Sequence, residues 1–195
     1  MPKKTTTKLK TKTSPALKTG TAKPAQSKPT IKTAPNIQRG GQSWVYTDTV
    51  RDHFFHPRNL LSPEQEAKYK ADGVGMVGSP ACGDVMKTWI HVKPVFVKNA
   101  DGKTPGKKVI DMKKSKIIDC KWQTFGCGSA ISSTSMMSVM VTENGGMSLE
   151  DGLQLKAMDI NARLGGLPTI KLHCSILGDQ SLKAAINDYL KKFNS

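Results

Sequence analysis

Cysteine is scarce in this chain: four in 195 residues, none at CxxC spacing. That argues against a disulfide-rich secreted scaffold and for a reducing compartment. No apolar run reaches the roughly 18–20 residues needed to span a membrane, and no signal-peptide apolar stretch opens the chain. Acidic residues are missing from the first 47 positions, which hold ten Lys or Arg. Most of the net charge of +15 therefore sits in this segment, and the remainder carries +5 (20 basic against 15 acidic). The charge says little about the rest of the chain.

Large apolar residues are also nearly missing from residues 1 to about 42. A stretch so rich in Lys, Thr, Pro, Ala and Ser cannot bury enough surface to offset its chain entropy, and the expectation is a disordered basic tail. Three roles stay open for it. It can be a solvated, solubilising arm. It can be an organelle transit peptide, being basic, hydroxyl-rich and acid-free, although Lys replaces Arg and no amphipathic face is evident. Nucleic-acid contact through phosphates is the third, and the lack of interleaved aromatics argues against it.

What is present begins near Trp44-Val45-Tyr46, so the folded domain is expected over 43–195. Residues 47–56 read as a short helix closed by Pro57, and 62–76 as a short helix and a loop. Residues 85–97 alternate, with Met86, Thr88, Ile90 and Val92 on one face and Lys87, Trp89, His91 and Lys93 on the other, which predicts a strand. Turn signals at 99–106 lead to strands near 107–112 and 116–125. On the latter, Ile118, Cys120 and Trp122 are expected to share a core face.

The remainder reads as helix. Residues 129–143 end at Gly145-Gly146. Ser148-Leu149-Glu150-Asp151 resembles a capping box, and Asp159 is placed as the cap of a short helix ending at Gly165-Gly166. Leu182, Ala185, Ile186, Tyr189, Leu190 and Phe193 form an amphipathic stripe. A three-stranded antiparallel sheet packed against several helices makes the class α+β.

Three cysteine neighbourhoods carry the chemistry: Ser79-Pro80-Ala81-Cys82-Gly83-Asp84, Gly126-Cys127-Gly128 and His173-Cys174. They offer three thiols, a carboxylate and an imidazole, a set able to bind a soft metal or an iron–sulfur cluster or to carry sulfur. Cys127 directly precedes a predicted helix, whose N-terminal partial charge favours thiolate. Gly126 and Gly128 are expected to clear space for a cluster or a partner's sulfur. Asp84, two residues after Cys82 in an extended chain, is expected on the same side. Cys174 is placed just before a helical stretch. The ligands are separated by 44 and 46 residues, unlike the paired ligands of a zinc knuckle. A fold-assembled, open site suits a cluster that is made and handed on.

Other candidates have structural readings. Cys120 belongs to a core face. His91 lies with Lys87 and Lys93 at the surface, His53 and His56 border a helix end, and the Met run at 136–140 is core.

At these residues the chain resembles the IscU/NifU-type scaffold proteins of iron–sulfur cluster assembly, over about residues 44–193. The matching stretches include Val50-Arg51-Asp52-His53-Phe54, Pro57-Arg58-Asn59, Gly78 through Lys87, Gln123 through Ile131, Leu167-Pro168 and Lys171 through Ser175. Details near Gln123 and Gly165 look more like the NifU N-terminal domain than the mitochondrial type.

The resemblance implies a SufE/IscU-like fold and a non-enzymatic role. A cysteine desulfurase supplies persulfide sulfur, iron is added, and a ferredoxin-type reductant provides electrons. A transient [2Fe–2S] cluster forms on Cys82, Cys127 and Cys174, with His173 or Asp84 as fourth ligand, and passes to acceptor apoproteins. Asp84 then tunes cluster lability, and zinc can occupy the same ligands in the apo form. The resemblance also implies Hsp70/Hsp40-type chaperones, recognised through Leu167, Pro168 and Lys171; a homodimer is left open, since the sequence does not fix the oligomeric state. Here the segment reads Leu167-Pro168-Thr169-Ile170-Lys171, and Thr169 replaces a second proline that would stiffen it. The implied compartment is the cytoplasm, or an organelle matrix if the tail is a transit peptide.

Two other function classes compete. One is a stable zinc protein using the same ligands, in which metal removal would unfold the domain. The other is a thiol enzyme using Cys127 or Cys174, for which adjacent His173 and Cys174 are poorly disposed as a dyad.

Overall fold

A computed structural model describes residues 46–80, 83–97, 109–168 and 171–194, without the side chains of Leu172, His173 and Cys174. The expected tail, the turns at 99–106, Cys82 and Thr169-Ile170 lie outside the described residues.

The chain forms α1 (Asp48–Phe55), α2 (Pro63–Glu66), β1 (Gly73–Gly78), β2 (Val85–Lys93), β3 (Phe96–Val97), β4 (Val109–Ile110), β5 (Lys116–Phe125), α3 (Gly128–Thr142), α4 (Leu149–Gln154), α5 (Ala157–Arg163) and α6 (Leu172–Asn194). The main sheet is antiparallel in the order β1-β2-β5, and β3 pairs with β4 in a separate two-stranded ribbon. The expected α+β architecture holds, but the membership of the sheet differs. The strand near 107–112 belongs to the ribbon, and its place in the main sheet is taken by β1, where a loop was expected.

Gly73, Gly75 and Gly78 hid β1, because glycine weakens a strand and lacks a side chain to show alternation. Gly73 and Gly75 are there because α6 lies directly on this strand. A Cβ on Gly73 would collide with the Ala185 carbonyl, and one on Gly75 with the Ser181 carbonyl. The outer edge of β1 is partly capped, since Val74 N–H donates to Asp188 Oδ2 at 2.8 Å.

On β2 the inward face is as read: Met86, Thr88, Ile90 and Val92 are buried. The opposite face is not simply solvated. Trp89 is only 4% exposed, and the Lys87 ammonium stands 4.7 Å from the centre of its ring while pairing with Glu66 at 2.6 Å.

The core face of β5 needs a correction. His91 pairs with Asp119 and Val92 with Ile117, so Ile118 is an extra residue on β5. Such a bulge reverses the alternation. Ile117, Cys120 and Trp122 are fully buried, whereas Ile118 is 53% exposed. The expectation for Cys120 stands, with Ile117 replacing Ile118 as its companion. Segment 58–61 runs along the far edge of β5: Leu61 N–H donates to the Trp122 carbonyl at 2.9 Å, and the Trp122 indole donates to the Arg58 carbonyl at 2.7 Å.

The helices close the core. α3 ends as expected, through a 3-10 turn at Glu143–Gly145 followed by Gly146 at φ +94°. Ser148 caps α4 by accepting from Asp151 N–H at 3.0 Å. Asp159 is not the cap of α5. Lys156 holds that position, and Asp159 reaches back from the third helical residue to accept the Lys156 N–H at 2.9 Å. The stripe on α6 packs inward through Leu182, Ala185, Ile186 and Tyr189, and Met136 and Met137 are core residues as read.

One face of α3 is a hydroxyl ladder that receives the first described segment. Ser129 donates to Tyr46 Oη at 3.0 Å and Ser132 to the Val50 carbonyl at 2.9 Å. Ser135 meets His53 Nδ1 at 2.8 Å, and Ser138 accepts from Asn59 Nδ2 at 3.2 Å. Each step of three residues makes adjacent rungs neighbours on the helix surface, and the ladder winds gradually around α3 as it runs.

Candidate metal centre

Cys127 is the N-cap of α3, with φ −77° and ψ 171°. Its carbonyl accepts the Ile131 N–H at 3.1 Å, while its thiol makes no capping bond to the helix. The unsatisfied N–H groups and the dipole of a 15-residue helix favour negative charge at this position. The floor beneath is apolar: Met86, Ala130 and Leu177 form a small buried cluster against which Val77 and Cys127 pack.

Asp84 supplies the second ligand-type group. It is only 6% exposed, and Cys127 Sγ stands 3.9 Å from its Oδ2. The expected position of Asp84 relative to Cys82 involves a residue outside the described ones. Gly83 has φ +72°, so the backbone is not extended at that residue. Gly83 N–H donates to the Ser79 carbonyl at 2.8 Å and Ser79 N–H to the Asp84 carbonyl at 2.9 Å. This turn joins β1 to β2 and delivers Asp84 to Cys127.

The glycines beside Cys127 also differ from expectation. A Cβ on Gly126 would lie 2.9 Å from Asp84 Cγ and 3.0 Å from the Ala130 Cβ, and one on Gly128 would lie 3.3 Å from the Phe54 ring. The space they leave is filled by the protein's own side chains, not held open for an incoming group.

Cys174 and His173 fall within the first turn of α6 rather than before it, since the helix begins at Leu172. The neighbouring backbone is firmly seated. Ser175 Oγ lies 3.2 Å from Ser133 Oγ on α3, Leu177 joins the floor under Cys127, and Ser181 Oγ meets Thr88 Oγ1 on β2 at 2.8 Å. The start of α6 is thereby held against α3 and the sheet near the Cys127 floor. The side chains of His173 and Cys174, like Cys82, lie outside the described residues. Among the described residues no cluster of three or more metal-ligating side chains occurs.

The remaining candidates fall where their environments put them. Burial pushes the Cys120 thiol far up, which removes it from thiolate chemistry. His91 lies 3.3 Å from Asp72, and His56 lies 3.4 Å from Asp52. His53 is buried against Ser135, in keeping with its structural reading. The segment with Leu167, Pro168 and Lys171 follows Gly165 and Gly166 at φ +78° and +102°. It is pinned by Leu167 N–H to Asn161 Oδ1 and by Lys171 N–H to the Pro168 carbonyl, both at 2.7 Å.

No helix among the described residues is long and apolar enough to cross a membrane. The NifU-like N terminal domain family matches residues 45–107 and 107–195. The iron-sulfur cluster assembly scaffold protein IscU of Rickettsia prowazekii is 42% identical over 148 residues, covering 76% of this chain and 94% of that protein. Iron sulfur cluster assembly protein 2, mitochondrial, of Saccharomyces cerevisiae is 40% identical over 174 residues, covering 89% and 94%. The nitrogen fixation protein NifU of Nostoc is 36% identical over 148 residues, covering 75% of this chain and 42% of that protein. The leaning towards NifU in local details is not carried by these identities, which are higher for the IscU and yeast relatives. The relatives' names support a scaffold role in iron–sulfur cluster assembly, and nothing in them speaks for a resident zinc. The chain belongs to the NifU-like N-terminal domain family.

Proposed function

We propose that this protein is a non-enzymatic scaffold on which a transient [2Fe–2S] cluster is assembled and then transferred to acceptor apoproteins. The observation that carries the reading is the approach of the Asp84 carboxylate to the Cys127 thiol at the N-terminus of α3. A soft thiolate paired with a hard carboxylate holds iron less firmly than thiolates alone, which favours release.

In this reading Cys82, Cys127 and Cys174 bind the cluster, with Asp84 or His173 completing the set. Sulfur arrives from a cysteine desulfurase as persulfide. Each persulfide sulfur takes two electrons to become sulfide, and a ferredoxin-type reductant supplies them. The domain doing this is 43–195. Residues 167–171 form the recognition segment for an Hsp70/Hsp40-type chaperone through Leu167, Pro168 and Lys171.

For the compartment, the match to the yeast mitochondrial relative spans 89% of this chain. That is more than residues 46–195 alone provide, so the similarity extends into the basic tail. This favours an organelle matrix over the cytoplasm, with the tail as its transit segment.

The test is anaerobic reconstitution of the full chain with iron, cysteine and a cysteine desulfurase, followed by visible absorption and circular dichroism, then addition of an apo-ferredoxin. Cluster signals should build and then move to the acceptor. Cys127→Ala should keep its fold and form no cluster. Normal assembly and transfer by that variant would refute the reading.

A further inference from the structure

We infer that Gly126 is a positioning residue: the missing side chain there is the socket that keeps the Asp84 carboxylate turned inward on Cys127. The inference deepens the proposed function, since it assigns the determinant of the Asp84–Cys127 pair on which that reading rests.

A Cβ at position 126 would lie 2.9 Å from Asp84 Cγ and 3.0 Å from its Oδ1, inside any normal carbon contact. Asp84 could not retreat deeper. The same Cβ would be 3.0 Å from the Ala130 methyl, and Ala130 is fully buried in the floor with Met86 and Leu177. The Asp84 backbone is fixed as well, by the Ser79 N–H on its carbonyl and by the start of β2 at Val85. A Cβ at 126 therefore displaces the carboxylate from the space it fills beside Cys127. Gly126 itself does not have a positive φ, so alanine fits the backbone there. The glycine is required by the Asp84 carboxylate and the Ala130 methyl, not by the turn.

The test reads the charge beside the Cys127 sulfur directly, without metal. Full-length protein stripped by a chelator is alkylated with neutral iodoacetamide or anionic iodoacetate, and the Cys127 peptide is quantified by mass spectrometry. Both reagents attack the thiolate, so the ratio of their rates cancels the thiolate fraction and reports the neighbouring carboxylate. Unit charges about 4 Å apart in water repel by about 1 kcal/mol, or about fivefold in rate.

In the unaltered protein iodoacetamide should be favoured. Asp84→Ala should reduce that preference by about fivefold, Gly126→Ala should reduce it to a similar extent, and the double variant should match Asp84→Ala alone. Gly126→Ala keeping the original preference while Asp84→Ala loses it would overturn the inference, as would no change in Asp84→Ala. If Gly126→Ala folds poorly, Ala130→Gly is added to relieve the methyl contact, and the alkylation ratio of that variant decides in the same way: a lowered preference upholds the socket and an unchanged one overturns it. Unaltered iron affinity in Asp84→Ala would sink the ligand role of Asp84 and not the socket, because the alkylation ratio is read without iron.

Discussion

The hydroxyl of Thr47 donates to the Leu164 carbonyl at 2.6 Å and accepts the Val50 N–H at 3.2 Å. One side chain thus caps α1 and ties it to the end of α5, 117 residues later. Thr47→Ala should cost about 1–2 kcal/mol through loss of the cap and of one tertiary hydrogen bond. Thr47→Ser should retain most of that stability in urea unfolding. Equal losses in both variants would assign the effect to the Thr47 methyl, which packs towards Gly165.

His53 gives the α1–α3 ladder a pH dependence. Ser135 Oγ accepts the Arg58 N–H at 2.9 Å, leaving its own proton available to His53 Nδ1. Burial lowers the His53 pKa, and the nearby Arg58 charge adds to that. A base whose folded pKa is depressed binds more protons when unfolded. Its contribution is therefore complete above the unfolded pKa of about 6.5 and is lost as pH falls through that value towards the folded one. The difference in urea midpoint between pH 7.5 and pH 5.5 should be smaller in His53→Gln than in the unaltered protein. An unchanged difference would show that other groups carry the acid sensitivity.

β1 shows why part of the fold was not legible in the sequence. The amphipathic α6 stripe and the alternation of β2 express contacts made by side chains, so both can be read from residue types. Gly73 and Gly75 express a contact made by their absence, with the α6 backbone occupying the space. Gly126 hides the Asp84 socket in the same way. Gly75→Ala should therefore lower stability by about 1–3 kcal/mol, the usual cost of forcing extra volume into a packed interface. A urea midpoint within error of the unaltered protein would mean that α6 can slide to make room.

The bulge on β5 separates two neighbouring isoleucines that composition cannot tell apart. Strict alternation points Ile118 inward, and only the pairing of Val92 with Ile117 and of His91 with Asp119 reveals the extra residue. Ile117→Ala should cost about 2–4 kcal/mol as a core truncation. Ile118→Thr, on the 53% exposed side, should stay within about 0.5 kcal/mol. Equal costs would contradict the bulge and restore the simple face containing Ile118, Cys120 and Trp122.

Cys120 and Cys127 lie seven positions apart, and their surroundings give the two thiols opposite properties. Cys120 is fully buried, with its thiol pushed far up by burial and, to a lesser degree, by Asp119. Cys127 is partly exposed at a helix N-terminus. Native-state alkylation should therefore label Cys127 and leave Cys120 unmodified until the domain unfolds, because the thiolate is the reactive form and the core opens only globally. Cys120→Ala should form cluster as the unaltered protein does, at a stability cost on the order of 1 kcal/mol for the lost sulfur contacts. Cys120→Ser should cost more, since its buried hydroxyl needs a partner in an apolar layer. Loss of cluster formation in Cys120→Ala with the fold intact would move that thiol from the core into the site and overturn the division drawn here.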